Sequence, residues 1–413
     1  MPQAFRAGKP HPHEERPSKA SRRTPSPGQR KPPGQRKRRL AARQNRNQNQ
    51  NQNHGQGSPR CVAVIDLGTN NCRLLIAQFQ PMRGGSKARR HFRVIDSFSR
   101  IVRLGEGLSQ SGVLQPEAME RTLEALRICA KKIHRSGATQ VRAVATQACR
   151  QARNGPAFLA RIAKETGLEM KTINTLQEVQ LGVASAKPLL KRRWPYALIF
   201  DIGGGSTEVS LLKFRKGYGF GMMGSLSLPQ GVVSLAETYG SPGQDLSEAA
   251  YGQIRLGVAA HFAAFAAEHG MVQLHQEQKI QTVGMSGTVT TVKALDLALT
   301  HYQRSLVDQT LFDMDRLTAI RDSLMGVAQE DLRARSYIGA GRADLVLPGM
   351  AILQGLADVF AFQRLLVLDR GLREGLLYQV FAKPSRRRSR QRVKAPLRSP
   401  GEGKGCSTAG TQV

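Results

Sequence analysis

Ala197-Leu198-Ile199-Phe200-Asp201-Ile202-Gly203-Gly204-Gly205-Ser206-Thr207-Glu208-Val209-Ser210-Leu211-Leu212 is an apolar run, a glycine-rich polar turn and a second apolar run. Neither run is long enough for a stable helix, so the segment reads as a β-hairpin. The same order stands earlier in Cys61-Val62-Ala63-Val64-Ile65-Asp66-Leu67-Gly68-Thr69-Asn70-Asn71-Cys72-Arg73-Leu74-Leu75-Ile76-Ala77. The two Asp-x-Gly turns, beginning at Asp66 and Asp201, are one domain length apart rather than a solenoid period, which predicts a duplicated α/β unit.

The intervening sequence supports that reading. Pro116–His134 has apolar residues at near-helical spacing, Val141–Thr146 is strand-like and Phe158–Thr166 is helical. After the second hairpin the pattern predicts helix over Leu246–His269, strand over Ile280–Val283, the turn Gly284-Met285-Ser286-Gly287-Thr288 and helix over Val289–Leu299. Helix over Ala351–Phe362, strand over Leu365–Leu368 and helix over Arg373–Phe381 follow. Such alternation belongs to layered α/β domains, and antiparallel hairpins followed by crossover helices predict mixed sheets.

In 413 residues, 62 Lys and Arg stand against 30 Asp and Glu, a net charge of +32, with 40% hydrophobic residues. That length suffices for two cores. Much of the charge lies at the ends: residues 1–60 carry 15 Lys and Arg against 2 acids, and residues 383–413 carry 9 against 1. Neither end has apolar periodicity, one running into the Gln/Asn tract Gln44–Asn53 and the other bearing Arg386, Arg387, Arg388, Arg390 and Arg392, so both read as disordered basic tails. Such tails suit a sequence-independent grip on polyanions, RNA included, or simple solubility. The most apolar late stretch, Met350–Leu368, is broken by Gln354, Asp358, Gln363 and Arg364, so no membrane span is expected. With no apolar region after the basic N-terminus to make a secretory signal, the expected compartment is the cytoplasm. Cys61, Cys72, Cys129, Cys149 and Cys406 show no C-x-x-C spacing and predict free thiols rather than disulfides or zinc.

Chemistry concentrates at the turns. Gly203, Gly204 and Gly205 can take backbone angles closed to other residues and turn several N–H groups into one concavity, where Ser206 and Thr207 add hydroxyls: a phosphate cradle. Asp201 and Glu208 place carboxylates at its ends, suited to a hard cation such as Mg²⁺. Gly68, Thr69 and Asn70 supply the equivalent turn of the other half, so two turns can face each other across a cleft. Gly284, Ser286, Gly287 and Thr288 make a third turn, before a helix whose N-terminal N–H groups favour an anion. Any one of these alone is readable as a plain turn.

Together the motifs AVIDLGTN, VRLGEGL (Val102–Leu108), ATQACRQARN (Ala145–Asn154), DIGGGSTE, GMSGT and DRGLREG (Asp369–Gly375) resemble, over about residues 61–382, the exopolyphosphatase and guanosine pentaphosphate phosphohydrolase (Ppx/GppA) family. That family is a branch of the actin, Hsp70 and sugar-kinase superfamily. The resemblance implies two ribonuclease-H-like domains around an interdomain cleft, one over 61–176 with the segment 369–382 returning to it, the other over 177–368. It places the catalytic glutamate at Glu178, within Ile173–Leu181, and makes Asp201 and Glu208 a Mg²⁺-holding pair with Asp66 joining through water. Arg150 matches the substrate-binding arginine, and Arg73 and Arg103 are further phosphate candidates. A homodimer is also implied. Gln177 and Gln180 flank Glu178 where many members have Glu or Gly followed by Arg, so one positive charge near the base is missing. Only the basic tail follows DRGLREG, which marks the short form without a C-terminal helical metal domain.

The expected activity is Mg²⁺-dependent removal of the terminal phosphate of inorganic polyphosphate by a glutamate-activated water. Guanosine pentaphosphate is the alternative substrate that the same residues would serve. An actin-like ATP-binding switch or kinase, or a nucleic-acid-binding protein gripping through its tails, ranks lower; with one Trp and 5% aromatic residues no base-stacking platform is expected.

Overall fold

The computed structural model describes residues 61–80, 91–240, 246–334, 338 and 341–381; the expected disordered tails and Cys406 lie outside the described residues. Two mixed sheets form the frame. The first has the order β3-β2-β1-β4-β5 and the second β10-β11-β9-β6-β7-β8, with β1 Cys61–Leu67, β2 Asn71–Gln80, β3 His91–Ile101, β4 Gln140–Ala145, β5 Met170–Thr172, β6 Tyr196–Ile202, β7 Thr207–Arg215, β8 Gly219–Leu228, β9 Ile280–Met285, β10 Thr310–Asp313 and β11 Arg364–Leu368. In each half three antiparallel strands continue into parallel ones: β1 pairs antiparallel with β2 and parallel with β4, and β6 does the same with β7 and β9. This is the duplicated α/β architecture that the two hairpins predict, in the actin-like arrangement that the family resemblance implies, with β10 an extra antiparallel edge in the second half.

The strands read as near-continuous apolar runs because helices cover both sheet faces. Ala63, Ile65 and Leu67 of β1 join one core with Leu123, Leu126, Phe158 and Ile162, while Val62 and Val64 face another with Leu372, Leu376 and Leu377 of the helix Leu372–Phe381. In β6, Leu198, Phe200 and Ile202 enter the largest core and Ala197 and Ile199 a smaller one behind the sheet. The helix Thr175–Ala186 serves both back faces: Leu181 packs behind the first sheet, Val179 and Val183 behind the second.

Several boundaries move. Strand β9 runs on to Met285, so Gly284 lies inside it rather than in a turn, and the helix begins at Ser286. The stretch Ala343–Phe360, with mean hydropathy 1.4, is long and apolar enough to cross a membrane by composition, but it contains Asp344, Gln354 and Asp358 and 72% of it is buried inside the fold, as in a core helix. Cys61, Cys72, Cys129 and Cys149 are free and buried.

Candidate active site

The hairpin register sets the site. Asp66 stands opposite Arg73 across β1 and β2, and the equivalent Asp201 stands opposite Glu208 across β6 and β7. The duplication thus keeps the first acid and exchanges its cross-strand partner, arginine in one half and glutamate in the other. A like-charged pair directly opposite in a sheet is unfavourable, so the second hairpin bears a cost that the first does not.

The two glycine turns meet. A Cβ on Gly205 would lie 1.9 Å from Gln147 Oε1 and 2.6 Å from Thr69 Oγ1, and one on Gly204 would lie 3.1 Å from Asn70. None of Gly203, Gly204 and Gly205 adopts a positive φ. Gly204 and Gly205 are glycine because the opposite turn comes so close, and Gly203 because a Cβ would lie 2.9 Å from Ser206 O of its own turn, not because of forbidden backbone angles, which corrects the sequence argument. The first turn is braced from behind by VRLGEGL: the Val102 and Arg103 amides donate to Asn70 O at 2.8 and 3.0 Å, and Gly105 N to Thr69 O at 2.9 Å.

Between the turns lies a cleft of about 530 Å³ lined by Asp66, Gly68, Thr69, Asn70, Arg73, Glu178, Asp201, Gly203, Gly204, Gly205, Ser206, Glu208 and Ser286, with Asn71, Thr146 and Gln147 among residues that the sequence did not single out. Ser286 holds φ at 80°, strained for a non-glycine residue, at the start of the helix Ser286–Asp296. Its hydroxyl lowers the Asp201 pKa, although burial dominates and pushes that pKa up. Asn70 Oδ1, Asn71 Oδ1 and Gln147 Oε1 are buried without a hydrogen-bond partner, an unfilled polar lining that asks for a ligand.

Glu178 reaches this space from the first turn of its helix, which Asn174 and Gln177 open as a capping box: Gln177 N donates to Asn174 Oδ1 at 2.8 Å and Asn174 N to Gln177 Oε1 at 3.0 Å. Gln177 therefore has a local structural task, and Gln180 is exposed. Glu178 is buried; burial lifts its pKa to about 7 against the charge and hydrogen bond of Arg150. Arg150 Nη1 is bound at 3.1 Å to Glu178 and at 2.8 Å to Ile173 O, so the structure seats this arginine on the acid. Glu208 accepts from Ser227 Oγ at 3.0 Å, and burial together with the Glu178 charge pushes its pKa up to about 8. Asp66 is pushed to about 6 by burial, opposed by Arg73 and Arg373.

Burial is the main cause that raises the pKa of Asp66, Glu178, Asp201 and Glu208, and a cation bound among them would favour their charged forms. Among the described residues no three His, Cys, Asp or Glu side chains form a ready cage. The hard oxygen donors Asp201 and Glu208, opposite each other across β6 and β7, are of the kind that Mg²⁺ takes, the rest of its shell being water and phosphate oxygens.

Other expected residues stand elsewhere. Arg103, at φ 47°, is ion-paired with Asp344 at 2.6 Å and donates to Gly341 O at 3.3 Å, outside the cleft lining. Thr207 is buried and donates to Gln230 O at 3.1 Å. Gly284 is a packing glycine, since its Cβ would lie 2.8 Å from the Phe200 ring. Gly287 and Thr288 line a second chamber of about 540 Å³ that shares Asn70, Arg73, Gly203 and Ser286 with the cleft and adds Arg342. Arg342, whose pKa is lowered by burial and by the Arg73 charge, carried no motif signal.

Duplicated ribonuclease-H-like halves closing glycine turns and a carboxylate cluster on one cleft define a phosphate-handling enzyme of actin-like fold. The model of the Ppx/GppA phosphatase family matches residues 85–383. Exopolyphosphatase 2 of Mycobacterium tuberculosis is 30% identical over 302 residues, 72% of this chain and 89% of that protein, and a putative exopolyphosphatase of Haemophilus influenzae is 27% identical over 335 residues, 79% and 93%. The crystal structure of the Aquifex aeolicus Ppx/GppA family member superposes with TM-score 0.60 at 29% identity, covering 78% of this chain and 98% of that one. The chain belongs to the Ppx/GppA phosphatase family, and is a hydrolase of phosphoanhydride bonds.

Proposed function

We propose that this chain is an exopolyphosphatase, removing the terminal phosphate of inorganic polyphosphate with Glu178 as general base. The observation that carries the reading is the buried Glu178 carboxylate, with a pKa near 7, lining the same space as Asp201 and Glu208 beneath two facing glycine turns. A water held by Glu178 attacks the terminal phosphorus in line; a new P–O bond forms, the anhydride P–O bond breaks, the water proton passes to Glu178 and the shortened chain leaves as an anion. Backbone amides of the turns and of Ser286–Thr288 orient the equatorial oxygens, while Arg150 keeps Glu178 aimed. Mg²⁺ held by Asp201 and Glu208, with Asp66 through water, would neutralise phosphate charge.

Phosphate release from long-chain polyphosphate and from guanosine pentaphosphate, measured apart and in competition, tests this. Glu178→Gln should bind polyphosphate nearly as the natural chain does and lose most turnover; equal loss of binding and turnover contradicts the base assignment. The nucleotide reading is favoured by the second chamber, where Val232, Val292, Leu345 and Val346 beside Arg73 and Arg342 offer an apolar wall to a nucleoside. Release from the nucleotide alone would select it.

A further inference from the structure

We propose that the end of the second sheet remote from the cleft is a docking surface for single-stranded nucleic acid. Strand β6 starts at Tyr196, paired with Lys213 at the end of β7, whereas Asp201 and Glu208 pair near the other end. At about 3.3 Å per residue the two ends are about 20 Å apart. The loop before β6 and the β7–β8 hairpin are tied here, Phe214 N donating to Pro195 O at 2.7 Å.

Six exposed cations gather on these two segments: Lys191, Arg192, Arg193, Lys213, Arg215 and Lys216. Among the described residues, none of the six is ion-paired with a carboxylate. Aromatic rings are interleaved with them. The Arg193 guanidinium lies 3.8 Å over Trp194, Arg192 5.8 Å over Phe214 and Lys213 Nζ 5.4 Å over Tyr196. Tyr218, 91% exposed, stands at the hairpin tip between Gly217 and Gly219, both left-handed at φ 83° and 77°. Lys216-Gly217-Tyr218-Gly219-Phe220 repeats the basic-Gly-aromatic-Gly-aromatic order with which one class of RNA-binding domain stacks bases, here carried on a hairpin tip.

Rings for bases and unpaired cations for phosphates are the two needs of a single strand. Polyphosphate has no π-face and would gain nothing from Tyr218, so the exposed ring selects nucleic acid over a second polyphosphate site. The sequence reading expected no stacking platform; this proposal departs from it because Trp194 and Tyr218 lie on separate segments that only the sheet brings to one end.

The test uses the full chain with U20 RNA and its DNA counterpart dT20. Trp194 is the chain's single tryptophan, so its fluorescence reports this surface alone. Saturable quenching by U20 is expected, with about tenfold weaker binding in Tyr218→Ala, which removes one stacking ring at unchanged charge. Lys213→Gln with Lys216→Gln should lower the salt slope by about 0.7 for each lost phosphate contact. Phosphate release by Tyr218→Ala should match the natural chain. Tighter binding of U20 than dT20 identifies RNA as the ligand, and equal binding a shared recognition of single strands. Binding that is unaltered in Tyr218→Ala with Trp194 unmoved would put the nucleic acid on the tails and overturn the proposal. Displacement of U20 by long-chain polyphosphate, with no effect of Tyr218→Ala on either ligand, would overturn it as well.

Discussion

Burial holds the Glu178 carboxyl near pKa 7 although an arginine lies 3.1 Å away. A general base is active only when unprotonated, so kcat/KM should fall about tenfold per pH unit below about 7 and level off above it. Arg150 is the contribution that pulls this pKa down, so Arg150→Gln should shift the acidic limb to higher pH; an unmoved limb near 4.5 in both proteins would refute the assignment. Glu208 makes a different prediction. Its folded pKa, about 8, lies above the usual 4.5, so the folded state binds more protons than the unfolded one between those values and stability is lost as pH rises through that window. In EDTA, Glu208→Gln should therefore raise the Tm at pH 8 by about 5 °C and leave it nearly unchanged at pH 4.5, while phosphate release disappears; calorimetry at the two pH values decides. Of these residues, Asp201 and Glu208 were legible because they bracket three glycines, whereas Glu178 stood out only through a family motif. Arg342 could not be read at all, and Arg373 only as part of DRGLREG and not as a site residue, since their place beside Arg73 depends on chain that returns from far downstream.

Among the elements, the hairpins β1–β2 and β6–β7 were legible because strands buried on both faces are continuous apolar runs around an unmistakable turn. Strands β3 and β8 were not. As edge strands they are half-exposed, and Arg93, Asp96 and Arg100 in one and three glycines in the other erase the pattern. The motif DRGLREG proves mainly architectural: Glu374 accepts from Gly371 N at 2.9 Å at the helix start, and a Cβ on Gly375 would lie 2.1 Å from Leu181 O. Because the obstacle is backbone, Gly375→Ala must push the C-terminal helix away from the helix bearing Glu178. A loss of about 2–4 kcal/mol in chemical denaturation is expected, with a larger fall in kcat than in substrate affinity. A wild-type midpoint would show that the two helices slide freely.

Across the molecule, the two halves are fastened at the cleft mouth by contacts from one loop. Arg103 binds Asp344, and Glu237 accepts from Gly107 N at 2.9 Å and from Ser109 Oγ at 2.7 Å. The same loop braces the first glycine turn, so the fastening of the halves and the placing of that turn share one segment. Replacing both Asp344 and Glu237 by Ala should increase the radius of gyration in solution scattering, and a non-hydrolysable polyphosphate with Mg²⁺ should restore the smaller value. Identical profiles under all conditions would mean that these contacts hold nothing shut. The helix Thr175–Ala186, with Leu181 behind one sheet and Val179 and Val183 behind the other, acts as an axle on which Glu178 rides. Any change in the angle between the two sheets should therefore turn the Glu178 carboxyl with it, so a swing of one half against the other is felt at this side chain before it is felt at either glycine turn.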